Sequence, residues 1–115
     1  MMGQHFLLNI YEADRILLAE LDLFVDFIRP LLHDCMANVV NDCSHQFPPL
    51  PNGDPGGFTY MALLSTSHFS IHTWPERNCA ALDMFTCGDI QVESLKNYLI
   101  QYFSPLTYDL KKLTR

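Results

Sequence analysis

Between residues 64 and 88 the chain reads LSTSHFSIHTWPE and, after a short gap, FTCG. Hydroxyls, histidines, a glutamate and a cysteine crowd a stretch whose alternation otherwise suits a buried strand. Three chemistries can be weighed on residue types alone. A zinc site from His68, His72, Cys79 and Cys87 fits poorly, because strand residues four apart lie about 13 Å from one another at 3.3 Å per residue. No metal is expected. A Ser/His/Asp hydrolase lacks its GxSxG elbow, whereas a Cys87 thiol with His72 as base is allowed by residue type. The plainer alternative is hydrogen-bonded strand histidines and small buried cysteines. Ser67 and His72 are five residues apart, so a regular strand faces them oppositely. Cooperation between them requires a bend or break in the backbone.

The elements around this stretch follow from periodicity. QHFLLNIYEA reads as a core strand. LDLFVDFIRPLLHDCMAN places Phe24, Phe27, Ile28, Leu31 and Cys35 at helical spacing, with Asp22 as N-cap and Pro30 expected to kink or shorten the helix. ANVVNDCSHQF is a second strand, and PPLPNGDPGG is a loop. A long β run covers Phe58 to Trp74, and NCAALDMFTCG forms another strand after the turn signal PERN. QVESLKNYLIQYF puts Val92, Leu95, Leu99 and Tyr102 on one helical face and stops before Pro105. LTYDLKKL closes the chain as an edge strand guarded by its lysines. The fold class expected is α+β: a two-layer sandwich, with an antiparallel sheet and two helices on one face.

Composition bounds the partners. At 115 residues the chain makes one domain, and 49% hydrophobic residues suit a globule. A formal charge of -6 with only 7 basic residues argues against nucleic acid and anionic membranes. No apolar run reaches the length of a membrane span. The start, MMGQHFLLNIYEAD, lacks a basic leader, and the 4 cysteines show no CxxC, so reduced thiols and a cytoplasmic location are expected.

GQHFLLNIYEAD at the N-terminus, HQF at 45–47, SHFSIHTWPE at 67–76 and AALDMFTCGD at 80–89 together resemble the short prokaryotic type of S-adenosylmethionine decarboxylase, a self-cleaving enzyme with a pyruvoyl group. The resemblance spans nearly the whole chain. It implies that Ser67 attacks the preceding carbonyl, that the chain splits between Thr66 and Ser67 into a β chain 1–66 and an α chain 67–115, and that Ser67 becomes the pyruvoyl cofactor. It further implies that His72 assists processing as a base, that Thr59 supplies a helping hydroxyl, and that Cys87 donates a proton after decarboxylation. Phe47 is then the aromatic that stacks on adenine and Glu76 the carboxylate on the ribose hydroxyls; Tyr11 and Glu12 also reach the pocket. The pyruvoyl carbonyl performs the electron-sink task of pyridoxal phosphate with no added cofactor. A homodimer with sites at its interface is implied, supplying decarboxylated S-adenosylmethionine for spermidine and other polyamines.

Three departures from the family pattern stand beside the site. Thr66 replaces a usual glutamate, Tyr60 a usual glycine, and the loop from Pro48 to Gly57 is longer than usual. A β-branched Thr66 adds bulk at the scissile carbonyl, and strand parity can turn Tyr60 away from the pocket. These departures leave two alternatives open: a pyruvoyl decarboxylase of a basic amino acid such as ornithine or arginine, and an uncleaved regulatory homologue. With cleavage at Ser67, the stretch reads as two strand segments meeting at the scissile bond, and Ser67 becomes a chain end.

Overall fold

Alternation of buried and exposed residues marks the three central strands of a six-stranded sheet in which every neighbouring pair is antiparallel. The computed structural model describes residues Met1–Arg115. The strands are β1 (Gln4–Tyr11), β2 (Val39–Gln46), β3 (Phe58–Leu64), β4 (Ser67–Trp74), β5 (Cys79–Thr86) and β6 (Thr107–Thr114). Their order across the sheet is β2-β3-β4-β5-β1-β6, so β1 lies between two strands from the far end of the chain.

One face of the sheet is covered by helices α1 (Arg15–Ala19), α2 (Leu21–Asp34) and α3 (Val92–Phe103). Buried Phe24, Ile28, Leu32, Leu95, Leu99 and Phe103 from the helices meet Ile10, Phe58, Phe69, Ile71 and Leu82 from the strands. The sheet's other face carries Met61, Leu63, His68, His72 and Trp74, with Met61 and Leu63 well exposed. The α+β sandwich therefore has the expected layers.

Several local expectations are corrected. A third helix, α1, joins the two expected ones; its five residues are too few for a periodic signal, but Asp14 caps it by accepting from the Ile16 amide at 2.8 Å. The helix then breaks at Glu20 and restarts, so α2 begins at Leu21 and Asp22 lies in its first turn rather than at the N-cap. Pro30 does not shorten α2, which continues to Asp34; Pro30 and Asp26, whose carbonyl loses its partner, both face solvent.

The run from Phe58 to Trp74 is a hairpin, turning at Ser65–Thr66 with Leu64 paired to Ser67. Downstream of that turn, β4 runs unbroken from Ser67 to Trp74. The break therefore falls before Ser67 and not between Ser67 and His72. Within one chain the two residues keep opposite faces of a regular strand.

Buried polar groups fix the layers to one another. The Thr73 hydroxyl accepts from the Phe58 amide at 2.9 Å and donates to the Leu18 carbonyl at 2.6 Å, tying α1 to β3 and β4. Tyr60 is 1% exposed and points into the helix-covered core, and its hydroxyl donates to Asp42 at 2.9 Å. Arg29 of α2 grips the same carboxylate through Nε at 2.7 Å and Nη2 at 3.0 Å. This fork holds the Asp42 carboxyl below its ordinary range. Burial, with the neighbouring carboxylate, pushes the Tyr60 hydroxyl far above its own. Parity thus takes the Tyr60 ring away from the open face.

Candidate active site

The residues singled out for chemistry fall into two groups at opposite ends of β4. At its start are Thr66, Ser67 and the FTCG segment. β5 pairs Thr86 with Ser67 and then carries the chain past its last strand residue to Cys87 and Gly88. There the Cys87 thiol donates to the Thr66 carbonyl at 3.0 Å, and the Cys87 amide donates to the same oxygen at 3.4 Å. Two donors thus converge on the carbonyl of the Thr66–Ser67 bond.

Next to it, the Ser67 Oγ is buried and has no hydrogen-bond partner. It lies beside the carbonyl that Cys87 bonds. The Thr66 side chain fits here because residue 88 is glycine: a Cβ on Gly88 would come within 2.7 Å of Thr66 Cγ2 and 3.0 Å of its Cβ. The extra branch of Thr66 is absorbed by the missing side chain of Gly88.

At the other end of β4 lies the second group. Thr59 and His72 are register partners on β3 and β4, and Thr59 Oγ1 shares a 2.5 Å hydrogen bond with His72 Nδ1. Aromatic rings lie beside it: between centroids, Phe47 is 5.5 Å and Trp74 4.5 Å from His72. Phe47, His72, Trp74 and Glu76 share the lining of a cavity of about 320 Å³, with the loop that follows Phe47 as its other wall. That volume lies at the small end of the range for small-molecule pockets.

Tyr11 and Glu12 stand elsewhere. Tyr11 is exposed and donates to Asp109 of β6 at 3.0 Å, which lifts its hydroxyl's pKa above the ordinary value, and Glu12 takes a left-handed conformation with φ 54 as β1 ends. Neither lines the cavity. Trp74 also lines this cavity, a position that sequence reasoning misses; its even-numbered place beside His72 on the strand is the available signal. No group of three or more histidine, cysteine or acidic side chains is placed to hold a metal ion, and no helix is long and apolar enough to cross a membrane.

Both groups sit within one sequence pattern. A sequence model described as S-adenosylmethionine decarboxylase matches residues 4–115. The chain belongs to that family. Among S-adenosylmethionine decarboxylase relatives, the proenzyme of Prochlorococcus marinus (strain MIT 9313) is 39% identical over 89 residues, covering 77% of this chain and 66% of the relative. Proenzyme 2 of Bacillus cereus is 32% identical over 114 residues, 98% of this chain and 88% of the relative. The crystal structure of the adenosylmethionine decarboxylase from Aquifex aeolicus VF5 superposes with a TM-score of 0.84 at 28% identity, covering 98% of this chain and 89% of that one. The match spans 66% of the length of the Prochlorococcus relative and 60% of the one from Fervidobacterium nodosum.

Proposed function

We propose that the chain is a proenzyme that cuts itself between Thr66 and Ser67 and then decarboxylates S-adenosylmethionine, supplying aminopropyl groups for polyamines. The observation that carries this reading is the Thr66 carbonyl, held by the thiol and amide of Cys87 beside the unpartnered Ser67 Oγ.

Self-cleavage begins as the Ser67 Oγ attacks the Thr66 carbonyl carbon. Negative charge collects on the oxygen that Cys87 already bonds, an arrangement of preset donors that stabilises such an oxyanion. The C–N bond to Ser67 then breaks, leaving an ester and a free Ser67 amine. Loss of the Ser67 α-proton expels the Thr66 carboxylate from Cβ, and hydrolysis of the resulting enamine releases ammonia and leaves a pyruvoyl group at the head of 67–115. Ser67 suits this group, because the side chain that must be consumed is free of competing hydrogen bonds. When formed, the group supplies the carbonyl that draws electrons from the substrate as carbon dioxide leaves. Cys87, at the same end of β4, then holds the proton for the carbon that lost the carboxylate.

His72 and Thr59 serve this site from a second copy of the chain. Five residues of strand separate Ser67 from His72 by about 16 Å, and the two face opposite sides. A homodimer that lays the partner's His72 end of β4 beside this chain's Ser67 end joins the two groups. Phe47 and Glu76 come with it to hold the nucleoside. All 4 cysteines are unpaired thiols, which suits a reducing, cytoplasmic setting.

Intact-mass spectrometry of the purified protein tests the reading. Two fragments, 1–66 and 67–115, with the second short by the serine nitrogen, are expected, together with carbon dioxide release from S-adenosylmethionine. Ser67→Ala leaves one intact, inactive chain. A wild-type chain that stays whole and inert overturns the proposal, and exclusive turnover of ornithine or arginine replaces its substrate.

A further inference from the structure

Two threonines are buried in the sheet, Thr73 near the end of β4 and Thr86 as the last residue of β5. They use their hydroxyls differently. Thr73 ties a helix to two strands, whereas the Thr86 Oγ1 accepts from the amide of Gly88, only two residues on, at 3.0 Å. A hydroxyl bonded to the backbone two residues ahead closes a local turn. Inside that turn sits Cys87, whose thiol and amide both reach the Thr66 carbonyl.

The register pairs Thr86 with Ser67 on one side and with Gln4 on the other. Paired residues share a face, with Cβ atoms about 4.5–5.5 Å apart, so the Thr86 hydroxyl stands beside the side chain of Ser67. Of the two hydroxyls, only that of Thr86 is engaged. β1 presses on the same point, since a Cβ on Gly3 would lie 2.5 Å from the Thr86 carbonyl oxygen. Backbone therefore holds Thr86 from both flanks, and the path of the chain beyond it is left to its side chain.

We propose that Thr86 is a positioning residue for self-cleavage: by holding the Gly88 amide, its hydroxyl fixes the Thr86–Gly88 turn and sets both Cys87 donors on the oxygen of the Thr66–Ser67 bond. The inference rests on the self-cleavage proposed above and adds a residue that acts in it through Cys87. Donors stabilise an oxyanion best when they are in place before charge develops. Without the hydroxyl, the Gly88 amide must find another partner, and the Cys87 segment turns with it. The Thr66 side chain also lies against Gly88, so the same turn supports the residue that carries the carbonyl.

Cleavage of the full-length chain, followed by mass against time, separates a hydrogen-bonding role from a packing role. Thr86→Val keeps the shape and loses the acceptor; Thr86→Ser keeps the acceptor and loses a methyl. The first should cut about tenfold more slowly, the worth of one hydrogen bond, and the second at close to the wild-type rate. Thr86→Ala differs from Thr86→Ser by the hydroxyl oxygen alone, so this pair repeats the comparison if Thr86→Val does not fold. In a Cys87→Ala chain the slowing caused by Thr86→Val should shrink to about two- to threefold, because the thiol that Thr86 sets is gone. Thr86→Ser cutting more slowly than Thr86→Val, equal rates in Thr86→Ser and Thr86→Ala, or the full tenfold loss without the thiol overturns the role of Thr86 and leaves self-cleavage standing. A wild-type chain that stays whole overturns self-cleavage and this role with it.

Discussion

The two ends of β4 solve opposite problems with the same strand. At the Ser67 end, everything is backbone-close: a carbonyl, two donors on one oxygen, and a glycine whose missing side chain makes room for Thr66. At the Trp74 end, a hydrogen-bonded histidine and aromatic rings stand over a cavity that a separate loop completes. On the proposed reading, one end breaks a peptide bond and the other recognises a molecule. The difference teaches that the proposed reaction needs both ends brought together, since the strand that carries both also holds them apart and turns them to opposite faces.

The largest effect that can break this comparison is complementation. His72→Ala and Ser67→Ala chains, each alone, should remain uncut; refolded together, the His72→Ala chain should be cut by the histidine its partner supplies. Gel analysis with distinguishable tags reads this out. Cutting of His72→Ala by itself, or failure of a mixed dimer to cut, would mean that the two ends do not meet across an interface.

Next in size is Cys87→Ala, which removes the thiol donor to the Thr66 oxygen and leaves the weaker amide at 3.4 Å. Cleavage followed by mass against time should slow about a hundredfold. Gly88→Ala comes after it. The new methyl meets Thr66 at 2.7 Å, so overpacking should lower stability by about 1–3 kcal/mol, and Thr66→Ala in the same chain should recover part of that loss in urea unfolding.

The smallest effect lies away from both ends. Tyr60→Phe loses one hydrogen bond to a charged group, about 1.5 kcal/mol, without altering cleavage. The Asp42 carboxyl that receives this bond is depressed in the fold, so its contribution to stability is present above the ordinary carboxylate pKa and is lost as pH falls through the depressed value. Urea midpoints measured toward acid should show that loss in the wild type and a flatter limb in Asp42→Asn.

What the sequence makes legible follows from repetition. α2 and α3 announce themselves by apolar residues at helical spacing, and β5 and β1 by alternation and β-branched or aromatic content. α1 does not, because RILLA gives one turn and a fragment. The hairpin turn is invisible for a different reason: Ser65–Thr66 contains none of the glycine or asparagine that two-residue turns favour, and neither residue takes a positive φ. For the candidate site, motif residues single out Ser67, His72 and Cys87, but only the fold separates them into two groups. The loop that lines the cavity is hidden because proline and glycine signal a loop without saying what it faces.

The strand order carries a last consequence. Residues 1–66 contribute β1, β2 and β3, and residues 67–115 contribute β4, β5 and β6, yet β1 is paired to β5 on one side and β6 on the other. A cut at residue 66 therefore yields two interleaved polypeptides that each lack half a sheet. Cut as proposed, the protein would be a non-covalent complex of its own fragments: strand pairing would hold them together, but once unfolded they would have to find each other again. Its melting should depend on concentration, and its recovery from denaturant should be second order, where the uncut chain refolds its own sheet within one molecule.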